Sequence, residues 1–172
     1  MYFTSRCAAL VFSACLLLMA HDTTAAAAPA RTLASTSQTG YVELGSYLTS
    51  ESEINAWYEA LYHLRENFDE ICGDTFCEGD YSNIYALRFR CSVDQSSGVI
   101  GRCVWVFAAS NEEIDPATGK IQVTPKVWRC RAPLAPKTTV SALLGALAGE
   151  RPLYATLPGT TVSIYDGLID CL

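Results

Sequence analysis

The residues richest in chemistry in this 172-residue chain lie between Glu66 and Asp80, ENFDEICGDTFCEGD, where six carboxylates surround two cysteines. Glu66, Asp69, Glu70, Asp74, Glu78 and Asp80, with Asn83 just beyond, supply hard oxygen ligands around Gly73 and Gly79, which would let backbone carbonyls turn inward. That is calcium chemistry. Asp74, Glu78, Asp80 and Asn83 are the candidate metal ligands, and a calcium-stabilised structural domain using the 66–83 segment is one expectation. Their order does not follow the twelve-residue EF-hand loop, however, and acidic runs are commonly solvated interaction surfaces. Asp74, Glu78 and Asp80 are therefore also the candidate contacts of an interaction loop.

The catalytic inventory is thin. Histidine occurs only at 21 and 63. At ~100° per residue His63 falls about 200° around a helix from Leu61, on the expected solvent side. No serine sits in a G-x-S-x-G elbow, and no glycine-rich loop is shaped to cradle phosphate. A small secreted hydrolase would need one of Asp74, Glu78 or Asp80 with a raised pKa beside an ionised partner. Nothing in their spacing selects such a pair, so the inventory favours binding over catalysis and implies no cofactor apart from the calcium named above.

Of the eight cysteines, Cys72, Cys77, Cys91, Cys103, Cys130 and Cys171 lie beyond the first thirty residues. An even number in an exported chain reads as disulfides. Zinc would require thiolates in C-x-x-C knuckles, which are missing, and a dithiol redox motif would place two residues between Cys72 and Cys77 where four stand. Ser96-Ser97-Gly98 suits a three-residue hairpin loop that pairs Gln95 with Val99 and hence Cys91 with Cys103, close enough for a bridge. A one-residue slip would send those sulfurs to opposite faces. Of the three ways to join the other four, Cys72–Cys77 closes a local loop and Cys130–Cys171 ties down the terminus.

These residues need elements to hold them. Ser50 and Glu53 have capping-box spacing, and Ile54, Trp57, Tyr58, Leu61, Leu64, Phe68 and Ile71 follow at three- and four-residue steps. That predicts a long helix from Ser50 to Ile71 with one apolar stripe, stopped near Cys72-Gly73 by a left-handed glycine. Ile84 to Val93 alternates as a strand with Tyr85, Leu87, Phe89, Cys91 and Val93 inward. Arg102 to Ala109 is apolar on both faces, as a central strand should be. Asp115-Pro116-Ala117-Thr118-Gly119 turns the chain into a third strand, 120–131, whose Pro125 calls for an edge or a bulge. Short helices are expected after Thr139 and Ser163.

Arg6, the apolar run Cys7 to Ala20 and Ala28-Pro29-Ala30 make residues 1–30 a signal peptide, followed by a flexible or extended lead-in, 31–49, and a single globular domain, 50–172. Tyr41 to Leu48 within the lead-in reads as a short strand or an arm. The expected location is secreted, periplasmic or extracellular, with no integral membrane segment after cleavage. The net charge of −6 argues against nucleic acid as a partner. The whole reads as an α+β fold: a long N-terminal helix packed on an antiparallel three- to four-stranded meander, with short C-terminal helices, stabilised by disulfides. The leading functional expectation is an exported binding or inhibitory module that presents its acidic loop to a protein or other extracellular ligand.

Overall fold

The computed structural model describes residues 40–172. The expected signal peptide, 1–30, and the first part of the lead-in, 31–39, lie outside the described residues. Four strands, β1 (Tyr41–Glu43), β2 (Tyr85–Asp94), β3 (Ile100–Ile114) and β4 (Ile121–Arg131), form one antiparallel sheet in the order β1-β2-β3-β4. With the helices α1 (Leu44–Tyr47), α2 (Glu51–Ile71), α3 (Val140–Ala146) and α4 (Ile164–Ile169) they make an α+β fold.

Helix α2 begins where a side chain can satisfy an orphan amide. Ser50 Oγ accepts from the Glu53 N–H at 3.3 Å. The Glu53 carboxylate accepts a hydrogen bond from the Ser50 hydroxyl instead of from the Ser50 backbone N–H, so the reciprocal capping box is complete only at α4, where the Ser163 N–H donates to Asp166 at 2.7 Å. Trp57, Leu64 and Phe68 are buried against the sheet, with Phe68 4.7 Å from Phe107 and Trp57 6.0 Å from Phe89 between ring centroids. Burying one such side chain contributes about 1.5–3 kcal/mol. The stripe differs from expectation in two places: Tyr58 is 63 % exposed, and Asn67 is buried. A second neighbour explains the rotation. The turn Pro152–Tyr154 covers the other flank of α2, where Asn67 Nδ2 donates to the Glu150 carbonyl at 3.1 Å and Oδ1 accepts from the Leu153 N–H.

The end of the expected lead-in belongs to the packed unit. Tyr41, Val42 and Glu43 pair with Asp94, Val93 and Ser92, and Leu44 is fully buried. A hydrogen-bonded edge and a core leucine hold this segment down, whereas the sequence offered only a weak strand interrupted by Gly45.

Two bulges set the phase of β2 and β3. Ala86 opposes Phe107 and Arg88 opposes Val106, which leaves Leu87 as an extra residue on β2. A bulge reverses the alternation beyond it. Tyr85 and Leu87 therefore face solvent and Ala86 is buried, contrary to the inward positions expected for the first two. At the other end the β2–β3 loop is one residue longer than a three-residue turn, because the Asp94 N–H donates to the Val99 carbonyl at 2.9 Å. Gly101 then bulges on β3 and restores the register, so Cys91 does oppose Cys103.

Both hairpin loops follow one pattern, Asp-x-x-Ser/Thr-Gly. Asp94 Oδ1 accepts from the N–H groups of Ser96 and Ser97 at 2.9 and 3.0 Å, and Asp115 Oδ1 from those of Ala117 and Thr118 at 2.8 and 3.2 Å. Gly98 and Gly119 close the loops at φ of 66° and 67°, where a side chain would be strained. Between β3 and β4 the register runs unbroken from Val104↔Arg131 to Ile114↔Ile121. Beyond Trp128 this hairpin has no core beneath it, and Ile114, Ile121, Val123 and Val127 stand exposed. Pro125 lies within β4, an edge strand, which is where a residue without an N–H is tolerated.

Candidate functional site: the acidic corner

Helix α2 ends by widening. The Cys77 N–H bonds the Cys72 carbonyl, a π-type turn over Cys72–Phe76, and the Cys72–Cys77 disulfide spans the same turn with a Cα separation of 4.9 Å. Gly73, expected as the left-handed stop, has no positive φ, and that conformation falls to Gly79 at φ 69°. Phe76 anchors the loop from below, stacked on Phe68 at 6.0 Å and tilted against Tyr165 at 5.8 Å. Cys91–Cys103 and Cys130–Cys171 complete the bridges at Cα separations of 4.0 and 5.5 Å.

Asp74 on this turn, Glu78 directly after the bridge and Asp80 in the following short helical turn, Gly79–Tyr81, are exposed, as are Asp69 and Glu70 before it. Asn83 is engaged with β3. Its Nδ2 donates to Ser110 Oγ at 3.2 Å while its Oδ1 accepts from the Ser110 N–H at 3.0 Å, which joins the loop after the acidic corner to β3. Among the described residues no three His, Cys, Asp or Glu side chains come together as a metal-holding group. Asp74, Glu78 and Asp80 are each exposed to solvent, and Asn83 is bonded to Ser110.

Glu66, the first residue of the acidic stretch, belongs elsewhere. It accepts from the Tyr62 hydroxyl, and that bond, followed by the carboxylate charge, raises the Tyr62 pKa above its ordinary value. His63 Nδ1 lies 3.1 Å from Glu66 and Nε2 4.0 Å from Glu59. The His63 side chain is 19 % exposed, not on an open helix face as its angular position predicts. It lines a cleft of about 390 Å³ with Glu66, Asn67, Glu70, Glu150 and Arg151. The Glu150-Arg151 segment that walls this cleft arrives from more than eighty residues away, so helical geometry alone could not show it.

Charge is segregated over the surface. Arg90–Val104–Arg131 and Arg88–Val106–Arg129 form two rows across the sheet, and their residues alternate with the buried ones, which puts these arginines on the face turned away from the core. Arg102 lies beside Ser92 on the same face. The expectation that nucleic acid is excluded rested on net charge, which does not describe this face. Among the described residues no Lys or Arg nitrogen lies within 4.0 Å of a carboxylate, so neither the acidic corner nor the arginine rows are paired with an opposite charge among them.

No protein-family model, curated protein or solved structure matched this chain.

Proposed function

We propose that this protein is an exported, disulfide-stabilised binding or inhibitory module, and that Asp74, Glu78 and Asp80 form its partner-facing surface. The observation that supports the reading is a set of exposed carboxylates with no described Lys or Arg within 4.0 Å, Asp74 within a turn braced by a disulfide and by the Phe68–Phe76 stack and Glu78 and Asp80 directly after it. A rigid loop loses little freedom on association, and unpaired surface charge steers a complementary partner. The partner is then a protein or other extracellular ligand with a cationic patch. Capture from the surrounding medium by the wild type and by a D74N/E78Q/D80N variant tests this. Loss of the captured partner supports the reading, and equal recovery contradicts it.

A second reading rests on the cleft at His63. A histidine held by a glutamate at 3.1 Å can take a proton from water, with Glu70 or Glu150 placed to act on a bound substrate, which describes a small hydrolase. The expected outcome is hydrolysis of a chromogenic ester or glycoside that falls at least about a hundredfold in His63→Ala. Unchanged turnover in that variant sinks this reading.

A further inference from the structure

Strand β1 covers only three residues of β2, Ser92 to Asp94. Among the described residues, no strand lies against the rest of that edge. Here β2 borders a cleft of about 360 Å³ whose opposite wall is α2, with Trp57, Tyr58 and Leu61 on the helix side and Phe89 on the strand side. One end is closed by Arg65, whose Nη2 donates to the carbonyl of the bulged Leu87 at 3.0 Å. At the other end is Glu43, the carboxylate that lines the cleft, opposite Gly45.

Backbone groups are free along this wall. The Cys91–Cys103 Cα separation of 4.0 Å marks the narrow kind of antiparallel pair, in which the two residues do not exchange hydrogen bonds. Phe89↔Trp105, two residues away with no bulge between, is the same kind of pair. The N–H and C=O of Phe89 consequently point away from β3 into the cleft, and no other described residue bonds them. An unpaired edge of this sort is a template for an added strand.

We propose that the cleft binds an extended peptide segment of another protein as an additional strand on β2, and that the segment alternates acidic and apolar residues. The pattern follows from the two faces of the edge. Cross-strand neighbours on the outer face meet Arg88 and Arg90, which have no described carboxylate within 4.0 Å, and so call for Asp or Glu. Residues between them turn inward against Trp57, Tyr58 and Leu61 and call for apolar side chains. Leu87 to Cys91 spans about 13 Å at ~3.3 Å per residue, so about five residues fill the edge. This site is separate from the acidic corner and stands whether or not that reading survives.

The test uses the full chain and a labelled, end-blocked peptide Glu-Val-Glu-Val-Glu-Val at millimolar concentration, with Glu-Glu-Glu-Val-Val-Val and hexaglutamate as comparators. The expected result is tighter binding of the alternating peptide, at least tenfold slower hydrogen exchange at the Phe89 amide, and binding about tenfold weaker in R88E/R90E. Arg88 and Arg90 are exposed, and an unchanged melting temperature confirms that their replacement leaves the fold intact. Tyr58→Ala, also at an exposed position, weakens binding through the apolar wall without altering charge. Equal binding of the block peptide or hexaglutamate overturns the proposal, because it reduces the site to unspecific charge. So does a Phe89 amide that the peptide leaves unprotected, or one already protected in the free chain, which would mean that the chain itself occupies the edge.

Discussion

Replacing both cysteines of the Cys130–Cys171 bridge with alanine should cost this protein more stability than the equivalent change at Cys72 and Cys77. The two bridges close loops of very different length, with sequence separations of 41 and 5 residues. In the chain-entropy treatment, freeing the unfolded chain costs about 3.9 kcal/mol for the long loop and about 2.1 kcal/mol for the short one. For roughly 130 residues, with ~2.1 cal/mol/K of unfolding entropy per residue, the larger figure lowers the melting temperature by about 14 °C and the smaller by about 8 °C. Guanidinium unfolding of both double variants, followed by fluorescence of Trp57, Trp105 and Trp128, gives the comparison directly. A Cys72/Cys77 variant that loses as much as the Cys130/Cys171 variant would refute the loop-length argument. It would mean that the π-type turn and its Phe76 anchor hold more of the fold than the terminal staple does.

Other perturbations have signs that the structure fixes. Asp94, Asp115 and Asp166 are held below the ordinary aspartate pKa, Asp94 chiefly by the Ser96 hydroxyl, Asp115 by the Ala117 N–H and Asp166 by the Ser163 N–H. A depressed folded-state pKa gives stability that is present above the unfolded value and lost as pH falls through the folded one. Denaturation midpoints should therefore fall below about pH 4, and fall less steeply in D94N/D115N/D166N, while parallel profiles would contradict the assignment. Gly167→Ala should destabilise by about 1–3 kcal/mol, since a Cβ there would lie 2.9 Å from Pro133 Cδ and 3.1 Å from the Arg131 carbonyl. Gly145→Ala, in α3 with nothing within 4 Å, should instead stabilise by up to about 1 kcal/mol, and thermal melts that show the same sign for both would be inconsistent with this packing. Asn67→Ala should cost about 1–3 kcal/mol by orphaning the Glu150 carbonyl and the Leu153 N–H, and a neutral result by chemical denaturation would show that those groups find water.

Local signals were the legible part of this sequence. The Ser50 cap, the stripe through Trp57, Leu64 and Phe68, the alternation of Phe89, Cys91 and Val93, and the Asp115-to-Gly119 turn each act within a few residues, and each is found in the structure. Signals that depend on counting were fragile. Cys91 meets Cys103 only because a longer loop and the Gly101 bulge offset each other, and the Leu87 bulge, which offsets nothing inside β2, turned Tyr85 and Leu87 outward. Tertiary partners were illegible for a plain reason. Nothing near Asn67 or His63 in sequence announces that Glu150 to Tyr154 will pack on that flank of α2, and nothing near Asn83 announces Ser110. The acidic corner was visible as composition, but which of its oxygens are free depends on contacts across the sheet.

The claim that matters most is that the acidic corner faces a partner, and the measurement closest to it is the affinity of the captured partner for wild type and for D74N/E78Q/D80N across a salt series. Affinity should fall with ionic strength in the wild type and be about tenfold weaker in the variant at low salt, with the melting temperature unchanged. Equal affinities with equal salt dependence would contradict it.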